Sequence, residues 1–285
     1  MRLVSYQDES GSCAGVLLGE EIVPVRALGA PSNSVRGILA SLDAAALAEM
    51  GERAAAEGER MPVAESRLLA PVPDPQKIIC LGLNYRDHAA ESGQEIPTAP
   101  MWFAKFANSL IGSGEDIVPP DAHPDYVDYE AELAIVIGHV ARDVAVADAL
   151  DHVAGAMPFN DVSARDLQFQ NPLWTSGKAI DTFAPCGPAL VTLDEIDDLR
   201  SLGLRTRVNG ELLQEGNTRE LIFGVPETVS WLSRTMTLLP GDIIATGTPA
   251  GVGASKNRFL RDGDTVAVEV DGLGALVNTV RRSGL

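Results

Sequence analysis

The chain has 285 residues, 45% hydrophobic and 22% charged, a composition that folds as a globular protein without needing disulfides or a structural metal. Asp and Glu number 40 against 22 Lys and Arg, a formal charge of −18, which argues against nucleic acid or an anionic membrane surface as partner. No apolar run is long enough to span a membrane, the first residues turn polar too soon for a signal peptide, and Cys13, Cys80 and Cys186 form no CxxC pair, so the expectation is a reducing, cytoplasmic location and no zinc site.

In chain order, Arg2–Tyr6, Ala14–Leu18 and Glu21–Val25 read as short strands with polar turns. Ser34 opens a helical stretch through Ile38, Leu39, Leu42, Leu47 and Met50, and residues 54–60 read as its solvated end. Three prolines within Pro71–Pro75 mark a boundary, dividing a small α+β unit over residues 1–71 from a second unit over 72–285. In the second unit Lys77–Leu83 reads as a buried strand and Val127–Gly138 as a long one. Leu204–Val208 and Glu211–Gln214 flank the hairpin signal Asn209-Gly210, and a helix over Pro226–Thr235 precedes strands at Asp242–Thr246, Thr265–Val270 and Ala275–Val280. The regular alternation of strand and long helix is missing, so the fold class is β-rich α+β. No dinucleotide fingerprint, P-loop, nucleophile elbow or HExxH occurs.

Three segments carry chemistry. In Asp128-Tyr129-Glu130-Ala131-Glu132-Leu133, strand alternation points Asp128, Glu130 and Glu132 one way and the apolar residues the other. Carboxylates crowded beside a core repel one another, and a divalent cation would relieve this; a solvated strand end is the alternative. In Phe159-Asn160-Asp161-Val162-Ser163-Ala164-Arg165-Asp166, Ser163 and Asp166 resemble a capping box, and Asp161 in the preceding turn is either a spare cap or a third oxygen ligand. Carboxylates without His or Cys select a hard cation such as Mg²⁺, Mn²⁺ or Ca²⁺. In Asn84-Tyr85-Arg86-Asp87-His88-Ala89-Ala90-Glu91-Ser92-Gly93, Asn84 can cap a short helix that puts His88 and Glu91 on one face, either as a water-activating pair or as an incidental surface pair. His123, His139 and His152 have no comparable neighbours and read as structural. Lys178 is solvated surface unless a metal lies beside it, where it would bind an oxyanion.

These segments, with Lys178–Pro188 and Gly241–Gly253, stand in the order and spacing of the fumarylacetoacetate hydrolase family, which the chain resembles over residues 72 to 285. The resemblance implies a mixed β-sandwich roll, a homodimer, and Mg²⁺ or Mn²⁺ held by Glu130, Glu132 and Asp161. It implies His88 and Glu91 as the water-activating pair on a lid, Lys178 on the substrate's oxygens, and Arg165, Gln168 and Thr248 at the substrate. Pro158 and Ala179 depart from residues more usual at those positions. The substrate class implied is a small 2-oxo acid. The leading expectation is hydrolysis of a C–C bond in an acylpyruvate, with oxaloacetate tautomerisation or decarboxylation and hydroxymuconate-type isomerisation as alternatives. A metal-stabilised binding module is the non-enzymatic alternative.

Overall fold

The computed structural model describes residues 1–282. The expected N-terminal strands form as β1 (Arg2–Asp8), β2 (Gly11–Leu18) and β3 (Glu21–Pro24). The single helical stretch is two helices, α1 (Val35–Ser41) and α2 (Ala44–Glu57). Ser34 caps the first, accepting the Gly37 N–H at 3.1 Å, and Asp43 caps the second, accepting the Ala46 N–H at 2.9 Å. The apolar period runs on through Leu42, but an acid at position 43 is a better cap than helix interior, so the chain breaks there. Two short strands, β4 (Met61–Pro62) and β5 (Arg67–Leu69), return to this sheet.

The strands that follow are β6 (Ile78–Gly82), β7 (Met101–Lys105), β8 (Leu110–Ile111), β9 (Asp116–Ile117), β10 (Val127–Asp128), β11 (Ala131–Ile137), β12 (Val153–Asn160) and β13 (Ser163–Ala164), with α3 (Arg86–Glu91) between β6 and β7. Helices α4 (Arg165–Gln168) and α5 (Thr175–Lys178) lead to β14 (Ala184–Pro185), β15 (Leu190–Thr192), β16 (Gly203–Val208) and β17 (Glu211–Asn217). The chain ends with α6 (Val225–Thr235), β18 (Ile243–Ala245), α7 (Gly253–Lys256), β19 (Thr265–Val270) and β20 (Gly274–Val280). Asn209 and Gly210 take the positive φ their hairpin turn requires, 52° and 83°.

The main sheet orders its strands β4-β3-β2-β1-β15-β12-β11-β18-β6-β7, with β5 beside β1. A second sheet runs β17-β16-β19-β20-β9. The main sheet therefore continues through the β1–β15 pairing from the first seventy residues into the rest, and Leu3, Val16 and Leu39 share an apolar cluster with Ile78, Val136 and Ile243. Strand β11 is buried on both faces. Leu133, Ile135 and Ile137 pack on Leu204, Val268 and Leu276 of the second sheet and on Val229 and Leu232 of α6, while Ala134 and Val136 face the first cluster. A β-rich α+β sandwich results, as expected.

Register places the site. Ala131 at the start of β11 pairs with Asn160 at the end of β12, and β18 lies antiparallel to β11 and parallel to β6. The carboxyl ends of β6, β12 and β18 thus meet the amino end of β11, and the segments singled out in the sequence converge there. The strand expected over Val127–Gly138 is interrupted at Tyr129–Glu130. Before the break β10 pairs with β13, and after it β11 pairs with β12 and β18.

Candidate active site

Glu130, Glu132 and Asp161 each offer a carboxylate oxygen within 4.8 Å of the others, and all three side chains are buried. The backbone holds them together: the Glu130 N–H donates to the Asn160 side-chain oxygen at 3.0 Å, and the Asp161 N–H donates to the Glu130 carbonyl at 3.0 Å. Lys178 Nζ, buried at the end of α5, lies 2.8 Å from Glu130 and 2.7 Å from Asp161. Arg165 Nη2 donates to Glu130 at 2.7 Å, and buried Lys105 donates to the other oxygen of Asp161 and to the Val162 carbonyl.

The electrostatics of the three acids differ. Burial alone would raise the Glu130 carboxyl, but the Lys178 ammonium and the Arg165 guanidinium outweigh it and hold the group below the usual carboxylate range. Glu132 has no such cation in contact. Its Oε2 accepts the Gly247 N–H at 2.9 Å, and burial, then the Asp161 and Glu130 carboxylates, push its carboxyl well up. Lys178 is pushed up: burial would lower it, and Asp161 and Glu130 more than offset that. With Asp128 included, four buried carboxyl groups face three buried cations (Lys105, Arg165, Lys178), so ionisation of all four would leave the cluster one positive charge short. An all-oxygen donor set with an under-compensated buried acid fits a hard divalent cation.

Glu130 and Glu132 line a cavity of about 250 Å³ together with His88, Glu91, Arg165, Gln168, Lys178 and Thr248. Apolar walls come from Phe103, whose ring meets Trp174 edge-on at 5.6 Å and lies 5.0 Å from Lys178 Nζ. His88 turns Nδ1 toward Glu91 at 3.4 Å, and Glu91 is seated by the Gly251 N–H, 3.0 and 3.1 Å from its two oxygens.

Of the residues expected at the site, all but Asp161 line one cavity, and Asp161 is buried beside it within reach of Glu130, Glu132 and Lys178. Four local expectations change, one of them that His123 lacks an acidic neighbour. Ser163 and Asp166 form no capping box: Ser163 donates to the Asp161 carbonyl, and Asp166 lies 2.6 Å from His123 Nδ1. Asn84 does not cap α3. Its amide donates to the Phe223 and Thr246 carbonyls and its oxygen accepts the Phe223 N–H, pinning the turn before the helix. Asp128 stands outside the triad and binds Arg165 and the backbone of α7 instead, because the break at Tyr129–Glu130 separates it from the ligands.

Thr248 and Gln168 are engaged within the protein. The Thr248 hydroxyl donates to the Ala131 carbonyl at 2.9 Å and accepts from Gln214 Nε2 at 2.9 Å, while Gln168 Oε1 accepts from Arg165 at 2.8 Å. Sequence reading gave no site role to Lys105, Gln214, Phe103 or Trp174, although the segment Phe103–Ser109 resembles oxaloacetate-type members of the family. A lysine in an otherwise apolar strand, Met101–Lys105, was a further signal.

Residues 77–281 match the C-terminal domain of fumarylacetoacetate hydrolase, and the chain belongs to that family. It is 47% identical over 217 residues to the mitochondrial oxaloacetate tautomerase fahd2 of Xenopus laevis, covering 75% of this chain and 68% of that one. It is 43% identical over 224 residues to the mitochondrial oxaloacetate tautomerase FAHD2A of Homo sapiens, covering 77% and 71%. Among solved structures, maleylpyruvate hydrolase from Sphingobium sp. SYK-6, in complex with manganese(II) and pyruvate, superposes with a TM-score of 0.82 at 35% identity over 99% of both chains. The 2-hydroxyhepta-2,4-diene-1,7-dioate isomerase of Mycobacterium marinum superposes at 0.80 with 36% identity over 100% of both. The family's members are enzymes that include hydrolases, isomerases and tautomerases. The relatives overturn the cytoplasmic location expected from the sequence, since the Xenopus laevis and Homo sapiens proteins are named as mitochondrial. Cys13, Cys80 and Cys186 are unpaired and buried, which does not distinguish one compartment from another.

Proposed function

We propose that the protein is a divalent-metal-dependent enzyme that interconverts the keto and enol forms of a small 2-oxo acid, with oxaloacetate as substrate. The observation that carries this reading is the opening of an all-carboxylate cation site and a His–Glu pair onto one cavity. The 43–47% identity to oxaloacetate tautomerases supports tautomerisation over the acylpyruvate hydrolysis expected from the sequence. Glu130, Glu132 and Asp161 would hold Mg²⁺ or Mn²⁺. Bound there, the cation supplies charge stabilisation to the carboxylate and oxo oxygens of the substrate.

The chain's own residues do the rest. With Nδ1 turned to Glu91, His88 has Nε2 left to take a proton from C3 of the acid. The electron pair of that C–H bond becomes the C2=C3 bond while the π pair of the C2 carbonyl moves onto its oxygen, and return of the same proton to that oxygen completes the enol. Lys178, fixed between two carboxylates, is the donor placed to stabilise the oxygen as charge builds. Phe103 and Trp174 form an apolar wall of the cavity.

C–C hydrolysis is the second reading. It is favoured by the His88–Glu91 pair, which suits activation of a water, and by the maleylpyruvate hydrolase likeness. We further propose a homodimer as the working form. Edge strand β7 leaves Met101 and Trp102 exposed, and Phe106 just past it, and uncovered apolar edges are normally paired or shielded.

The test uses chelator-stripped protein reloaded with Mg²⁺ or Mn²⁺. Ultraviolet absorbance follows the enol of oxaloacetate, and a coupled assay follows pyruvate released from acetylpyruvate or fumarylpyruvate. Metal-dependent acceleration of enol decay without pyruvate release is expected. Pyruvate release from an acylpyruvate with no effect on the oxaloacetate enol would replace the first reading with the second.

A further inference from the structure

We propose that Asp128 is a positioning residue that ties the cavity-lining Arg165 to the loop on which Glu91 is seated. This rests on the reading of the cavity as a substrate site, though not on which reaction occurs there. Asp128 is completely buried and lies outside the group of three carboxylates that could hold a cation. Its Oδ1 accepts the N–H groups of Gly253, at 2.7 Å, and Tyr129, at 2.9 Å. Its Oδ2 accepts the N–H of Ala254 at 2.9 Å and Arg165 Nε at 2.8 Å. One carboxylate thus satisfies three backbone donors and one face of a guanidinium.

Arg165 uses its other nitrogens on Glu130 Oε1 at 2.7 Å and Gln168 Oε1 at 2.8 Å, so Asp128 fixes the plane in which the guanidinium approaches the cavity. Two residues before Gly253, the Gly251 N–H holds Glu91 and its carbonyl accepts the Tyr129 hydroxyl at 3.3 Å. A path of hydrogen bonds and covalent backbone therefore runs from Arg165 through Asp128 to Gly253 and Ala254, along the chain to Gly251, and on through Glu91 to His88. The approach is tight. A Cβ on Gly253 would lie 2.5 Å from Asp128 Oδ1 and 2.1 Å from the Arg258 carbonyl oxygen, so glycine alone admits this contact. A plain helix cap would explain the bonds to Gly253 and Ala254. It would not explain an arginine that shares the same carboxylate and reaches the cation site with its next nitrogen.

The test is calorimetric titration of Asp128→Asn with Mn²⁺ and then, on the Mn²⁺-loaded protein, with oxalate as a 2-oxo acid mimic. Hydrogen exchange is read in parallel. Oxalate affinity is expected to fall about tenfold, the scale of losing charge-assisted hydrogen bonds, while Mn²⁺ affinity stays within about twofold. Exchange of residues 248–256 and 85–92 is expected to rise together. Ala254→Pro replaces one donor with a ring carbon directed at Asp128 Oδ2, so it pushes the carboxylate away from α7 while keeping its charge, and it should weaken oxalate about threefold in the same pattern, which keeps the test decisive if Asp128→Asn does not fold. Equal losses of Mn²⁺ and oxalate affinity, or unchanged exchange in residues 85–92, would reduce Asp128 to a cap for α7. If wild-type protein bound no oxalate, the proposed function would fail, and the coupled exchange of the two segments would still decide the role of Asp128.

Discussion

Replacing Asp161 with Asn should destabilise the metal-free protein by more than any single surface change, because it leaves a buried lysine without its counter-charge. Lys105 is fully buried and burial pushes its ammonium down, with Asp161 acting against that shift. Once Asp161 is neutral, the remaining partner of Lys105 is the Val162 carbonyl at 2.9 Å. Lys178 loses one of its two carboxylates in the same step and keeps Glu130. Uncovering one partner of a buried pair costs about 3–5 kcal/mol, and with both groups shielded from water no reduction for solvent screening applies. At about 2–4 °C per kcal/mol for chains of this size, Tm in chelator should fall by about 6–20 °C. Lys105→Met alone should also destabilise, since it leaves Asp161 with one cation. The double variant Lys105→Met/Asp161→Asn should recover most of the loss, because an apolar side chain beside a neutral amide leaves no orphaned charge. Scanning calorimetry and urea midpoints of the four proteins form the cycle. Two results would refute the reasoning: a Tm of Asp161→Asn within about 2 °C of wild type, or losses in the double variant that simply add.

Further outcomes follow from the same geometry. Mn²⁺ or Mg²⁺ at 100 times its dissociation constant should stabilise the wild type by about 2.7 kcal/mol against urea, and Glu132→Gln should abolish that gain while remaining folded; an unchanged gain would remove Glu132 from the ligand set. His88→Ala should lower enolisation about 10²–10⁴-fold with Mn²⁺ and oxalate binding retained, measured by enol absorbance and calorimetry. Equal loss of binding and rate would make α3 structural instead. Glu91→Gln should reduce the rate less than His88→Ala does, since Glu91 orients the ring without taking the proton. Trp174→Ala should raise KM more than it lowers kcat, because its ring packs beside Phe103 and against Gly82 rather than on the reacting atoms.

The chemistry was more legible in the sequence than its support. Glu130, Glu132, Asp161, His88, Glu91 and Lys178 stand in short segments whose residue types have few other uses together, and the structure gathers them at one strand end. The supports were hidden because each acts over a long separation. Gln214 reaches the Ala131 N–H across 83 residues, Lys105 reaches Asp161 across 56, and Asn84 holds Thr246 across 162. Local rules misplaced residues that tertiary partners had already claimed. Asp128 fitted a strand period and Ser163 a capping box, yet Arg165 and the α7 backbone take the first, while the second donates to the Asp161 carbonyl. The helix split at Leu42 is of another kind, a local cap at Asp43 that apolar periodicity overrode in the reading.

Past the interruption of the strand at Tyr129–Glu130, the carboxylate-bearing strand and the helix that carries His88 differ in how much packing a substitution would disturb. Glu130 and Glu132 flank Ala131, whose strand is buried on both faces, so a change there disturbs two apolar layers at once. His88 rides on a six-residue helix that joins the core chiefly through Ala89 and the Glu91–Gly251 contact, and substitutions around it disturb little else. A protein built this way can exchange its proton-handling segment while its carboxylate floor stays intact. That separation gives a physical route by which one sandwich came to serve tautomerases, isomerases and hydrolases alike.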